Sequence, residues 1–93
     1  MQKRVQVVVS GRVQLVMYRD FARRKARRFN ITGWVKNKKD NTVEILAEGY
    51  ETDLKKYLKL LAKGPVLAEV ENIETKWWDG VTGEFKRFEI LHE

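Results

Sequence analysis

Three observations predict that this chain folds as an α+β sandwich. Val5, Val7 and Val9 alternate with Gln6, Val8 and Ser10, the period-2 pattern of a strand with one buried face. Leu54, Tyr57, Leu58 and Leu61 recur at i, i+3, i+4 and i+7, the apolar stripe of a helix lying on a core. Around these two anchors, further patterns follow in the order β-α-β-β-α-β, with one more strand at the C-terminal side.

Taken in order, the first strand is expected to end at Gly11. Tyr18, Ala22, Ala26 and Phe29 then recur at helical spacing through a basic segment, which predicts a helix from about Arg19 to Phe29. Trp34 to Lys39 and Thr42 to Gly49 read as two strands joined by a two-residue hairpin at Asp40-Asn41, where both residue types tolerate φ > 0. Val43, Ile45 and Ala47 form the buried face of the second of these. Thr52 is the expected N-cap of the second helix, and Lys63-Gly64-Pro65 supplies its basic last turn, left-handed stop and breaker. Ala68 to Trp78 is a long strand whose alternation slips near Asn72-Ile73, which predicts a bulge there. Asp79 to Gly83 reads as a turn and Phe85 to Leu91 as the final strand. Two helices cover one face of a sheet, so the order predicts a ferredoxin-like sandwich: an antiparallel sheet, two helices on one face, and a single domain over residues 1–93. Right-handed split crossovers set the first strand beside that from Thr42 to Gly49.

Composition narrows the function classes. With 93 residues, 43% of them apolar, the chain has enough material for one modest core. It has no cysteine, which removes disulfide scaffolds, thiolate metal sites and thiol nucleophiles and fits a reducing compartment. The longest apolar run is Leu15 to Tyr18, where a membrane helix needs about 20 residues. Val5 to Val9 is too short for a signal-peptide core, so the expectation is a soluble, cytoplasmic domain that does not engage membranes. Residues 1–39 hold twelve basic residues and one acid, Asp20, a balance of +11; residues 40–93 balance at −5. A field this uneven attracts anions, whether nucleic acid, membrane or a small substrate.

The segment from Ser10 to Arg19 joins a buried strand to a helix start. Such a loop converges backbone N–H groups and the positive end of a helix dipole, a natural anion site. Arg19 adds a planar guanidinium able to hold two phosphate oxygens at once. The competing structural reading is a hydrophobic plug beneath the helix with Arg19 solvated. Asn37 falls on the same face of its strand as Val35, where a polar residue has to find a partner or line a site. Trp34, on the other face, is expected to pack. His92, far in sequence from the loop, reads as an exposed tail residue.

The run Gly11-Arg12-Val13-Gln14, then Val16-Met17-Tyr18-Arg19, followed by Gly33-Trp34-Val35-Lys36-Asn37, resembles the acylphosphatase family. That family's pattern is G-x-V-Q-G-V-x-F/Y-R and then G-W-V-x-N, with the Asn eighteen residues after the Arg, the separation between Arg19 and Asn37. The resemblance also covers the hairpin, the second helix and its Lys-Gly-Pro stop. It implies hydrolysis of the carboxyl–phosphate bond of acyl phosphates, giving a carboxylate and inorganic phosphate. It further implies that Gln14, Leu15, Val16, Met17, Tyr18 and Arg19 form the phosphate-binding loop. In that family Arg19 would bind the phosphoryl group and Asn37 would position the attacking water. Such chemistry rests on positioning and charge stabilisation. No metal, no cofactor and a monomer are expected.

Leu15 stands where the family has Gly. Either its backbone stays left-handed, at roughly 1–2 kcal/mol, or it relaxes and turns amides away from the anion. On this reading Leu15→Gly raises hydrolysis and lowers stability, through lost packing under the helix. Two other functions remain: an attenuated relative that keeps only the anion site, and an RNA-binding domain. The second requires aromatic residues on the open sheet face, and here the nearest pair, Trp77-Trp78, lies beside acids. The arginine-rich run from Arg23 to Arg28 then reads as a solvated helix face.

Overall fold

The computed structural model describes residues 1–92. Val5, Val7 and Val9 are fully buried along β1 (Gln2–Arg12), and the alternating pattern that predicted the strand faces the core as expected. Helix α1 (Tyr18–Arg28) buries Tyr18, Phe21, Ala22 and Ala26, with Phe29 partly buried just beyond it. Strands β2 (Thr32–Asn37) and β3 (Val43–Tyr50) follow, then helix α2 (Glu51–Lys63), β4 (Glu69–Asp79) and β5 (Phe88–Leu91). Leu54, Tyr57 and Leu61 of α2 are fully buried against the same sheet.

The sheet order is β4-β1-β3-β2-β5, with β1 beside β3 as the crossover rule requires. The expectation of a wholly antiparallel sheet fails at one edge, because β5 pairs with β2 in parallel. Direction explains it. Strands β1 and β2 run together, antiparallel to β3 and β4, and the chain reverses once more after β4. Beside β2, the returning strand has no antiparallel option. The connection from Gly80 to Arg87 spans from one sheet edge to the other. Glu48, only 3% exposed, accepts hydrogen bonds from Thr82 N, Thr82 Oγ1 and Gly83 N and so ties this connection to β3.

Several boundaries differ from expectation for local reasons. Gly11 does not end β1; the strand runs on to Arg12 through a bulge where Ser10 pairs with Asn72 and Gly11 with Val70, leaving Glu71 as the extra residue. Gly11 has φ 116, and a Cβ there would lie 2.2 Å from the Glu69 carbonyl oxygen. The bulge thus sits next to the predicted position, on the same strand pair. The hairpin is a longer one, from Lys38 to Thr42. Only Asn41 has positive φ, the Asn41 N–H donates to the Lys38 carbonyl, and Asp40 accepts from both Thr42 N and Thr42 Oγ1. The hydroxyl bond to Thr42 is the main reason the Asp40 carboxyl sits below its usual range. Tyr50, not Thr52, is the N-cap of α2, and it offers no side-chain cap. The final strand begins only at Phe88, so 85–87 belong to the connection.

Tyr18 links the two helices. Its hydroxyl donates at 2.6 Å to the carbonyl of Leu61, in the last turn of α2, where carbonyls lack intrahelical donors. Tyr57 reciprocates from α2, its hydroxyl donating to the Ala22 carbonyl at 2.9 Å. Burial raises the pKa of both phenols, so they stay neutral donors. Tyr18→Phe should lower stability by about 1–2 kcal/mol, read as a shift in denaturant midpoint at unchanged m-value, because it orphans the Leu61 carbonyl.

Candidate active site

Between β1 and α1 the chain has to turn sharply, and the residues that make the turn set the site. Val13 is buried and Val16 packs partly against the core. Between and after them, Leu15 (φ 61) and Met17 (φ 62) are both left-handed, and Met17 is the N-cap of α1. The backbone question raised by Leu15 is therefore answered: the loop keeps its left-handed residue rather than relaxing. Leu15 is 97% exposed and Met17 71%, so the expected plug under the helix is supplied by Val13, Val16 and Tyr18, and Leu15 packs under nothing. Among the described residues, no acceptor takes the backbone N–H groups from Leu15 to Asp20. They include the first N–H groups of α1, which carry the positive end of its dipole.

Gln14 turns its side chain toward the hairpin. Its side-chain Nε2 donates to the carbonyls of Lys38 and Thr42, each at 2.9 Å, and so fastens the loop to the base of the β2–β3 hairpin. That clamp holds the loop against the end of β2, where Asn37 sits.

A cavity of about 160 Å³ opens at this junction, lined by Val13, Leu15, Met17, Tyr18, Arg19, Asp20, Asn37, Ile90 and His92. Of the residues singled out from sequence, Leu15, Met17, Tyr18, Arg19 and Asn37 meet here, while Gln14 and Val16 support the loop without lining the cavity. The Oδ1 of Asn37 is buried and has no hydrogen-bond partner among the described residues. Arg19 forms no ion pair among them. Its neighbour Asp20 is taken by two other arginines, Arg24 Nε at 2.8 Å and Arg23 Nη2 at 2.9 Å. Those bonds, Arg24 first, hold the Asp20 carboxyl below its usual range. They also show that part of the arginine-rich run is internally paired rather than only solvated, as does the bond from Arg27 to the Phe88 carbonyl. A shallower depression adjoins the cavity, lined by Arg19, Asn37, Lys38, Lys39, Leu91 and His92. The junction is a cationic pocket with one unpartnered buried acceptor.

His92 is exposed, as expected, but nothing in the sequence signals its neighbours: its Nδ1 lies 3.3 Å from Arg19 Nη1 and it lines both hollows. The signal lies in the register of β2 and β5, which ends at Lys36 and Leu91, so the next residues are Asn37 and His92. The parallel pairing that creates this register was not legible in the sequence.

A loop of open amides at a helix start, beside an arginine and a strand-end asparagine, makes a cationic site on a small α+β sandwich. The family model for acylphosphatase matches residues 5–90. The chain is 44% identical to the acylphosphatase of Methylococcus capsulatus over 91 residues, covering 98% of each chain. It is 43% identical to that of Bacillus licheniformis over 89 residues, covering 92% of this chain and 94% of the relative. The crystal structure of acylphosphatase from Bacillus subtilis superposes with a TM-score of 0.92 at 35% identity, covering 96% of this chain and 98% of that one. This chain belongs to the acylphosphatase family.

The exposure of Leu15 revises its expected effect on stability. A left-handed, solvent-facing Leu contributes strain and little packing, so Leu15→Gly should raise stability by about 0.5–1 kcal/mol, opposite to the expectation from packing. Denaturant midpoints of the two proteins check this.

Proposed function

We propose that the cavity between the loop and β2 hydrolyses acyl phosphates, with Arg19 and Asn37 as its catalytic residues and the amides from Leu15 to Asp20 as its phosphate cradle. The observation that carries the reading is the buried, unpartnered Oδ1 of Asn37 on the wall shared with Arg19. An amide oxygen in that position accepts a hydrogen from water and fixes where the water's lone pair points. Arg19 and the converging N–H groups neutralise the phosphoryl oxygens as charge redistributes in the transition state. The water oxygen bonds to phosphorus as the bond from phosphorus to the acyl oxygen breaks. The acyl group leaves as a carboxylate, and the water's proton passes to the phosphate product. A carboxylate is a stable leaving group, so no general acid is needed.

Acyl phosphate as substrate and inorganic phosphate as product follow from this reading, and a cytoplasmic monomer is the state in which we propose it acts. No helix among the described residues is long and apolar enough to cross a membrane.

The central experiment is hydrolysis of a simple acyl phosphate by the wild-type protein, Arg19→Ala and Asn37→Ala. Arg19→Ala should lower kcat/KM by at least about a hundredfold, because it removes the cation that meets the transferring group. Asn37→Ala should lower kcat by about a hundredfold while phosphate affinity changes little, since water positioning matters chiefly in the transition state. Equal losses in both quantities would make Asn37 a ground-state ligand instead. Leu15→Gly should raise kcat/KM by uncrowding the mouth of the cavity; unchanged or lower activity would mean the cradle already works with Leu15 in place.

Phosphate titration should move the backbone amide resonances of residues 14–20 before any others. Shifts confined to regions remote from that loop would rule out the cradle as the anion site.

A further inference from the structure

Arg19 has one recorded polar contact among the described residues, and it is with His92. An arginine only donates, so in this 3.3 Å contact the imidazole Nδ1 accepts, which takes the tautomer with its proton on Nε2. The other charged groups around the ring do not replace this contact. Lys38 and Lys39 line the same depression from the hairpin side. Asp20, the acid on the cavity wall from α1, has one oxygen bonded to Arg23 and the other to Arg24, so it is not available to hold Arg19 instead.

We infer that His92 is a positioning residue for Arg19, its Nδ1 holding the guanidinium in the orientation the transferring phosphoryl group requires. The inference rests on acyl-phosphate hydrolysis as the activity. It adds a support, contributed by the residue after β5, to a site otherwise built from β1, α1 and β2.

The test compares wild type, His92→Ala and His92→Gln, whose Oε1 accepts the same bond. His92→Ala should lower kcat about three- to tenfold, with the inhibition constant of inorganic phosphate changing less than about twofold. His92→Gln should restore most of the rate, since its amide oxygen accepts from Arg19 where alanine cannot. A wild-type rate in His92→Ala, or a His92→Gln variant as slow as His92→Ala, overturns the inference. Imidazole 15N shifts test the contact without substrate: the Nδ1 resonance of His92 should move in Arg19→Ala, and an unmoved resonance overturns the contact whatever the kinetics. A moved resonance in a wild-type protein that hydrolyses no acyl phosphate overturns the hydrolase reading, and with it the catalytic half of this inference.

Discussion

Gln14 donates both hydrogens of its side-chain amide to the Lys38 and Thr42 carbonyls, and the geometry of the site depends on that clamp. Among the described residues, the buried Val13 and Tyr18 and the partly buried Val16 also pack the loop after β1 against the core. Apolar contacts are non-directional, so they fix how deeply a loop sits far better than its rotation. Two hydrogen bonds to one hairpin fix rotation. With the loop held, the N-terminal turn of α1 and the end of β2 face one another, and Arg19 and Asn37 share a wall.

The rest of the fold supplies rigid backing for that arrangement. Tyr18 and Tyr57 exchange hydroxyl bonds between helices, so α1 is fixed to α2 as well as to the sheet. The bulge at Glu71 lets β1 extend to Arg12 beside β4 before the loop departs. Glu48 does the same service at the opposite side, binding the connection that delivers β5 to the edge of β2. Delivery of β5 then brings His92 to Arg19. Elements far apart in sequence therefore converge on one guanidinium.

Leu15 and Met17 show how strain is distributed here. Both occupy left-handed backbone that glycine would adopt more cheaply, and each carries a cost of order 1–2 kcal/mol. The turn persists because its flanks are fixed: Val13 is buried before it, and Tyr18 is buried and hydrogen-bonded after it. Strain held by well-packed neighbours is expected where backbone N–H groups have to converge on one point. The side chains themselves point to solvent and take no part in holding the turn.

The sequence alone determined the elements, their order and the face each one buries, because periodicity and chain punctuation are local properties. It also determined the two motifs, since the eighteen-residue separation of Arg19 and Asn37 is a property of the chain itself. Tertiary structure decided the rest. Whether Gln14 reaches into the cavity or back to the hairpin depends on carbonyls 24 and 28 residues away. Whether Leu15 packs or projects depends on where the loop rotates, and a period-based reading has no access to that rotation. His92 gave no local signal at all. Its place follows from a parallel pairing between β2 and β5, imposed by the directions of four earlier strands, and strand direction is summed over the whole fold.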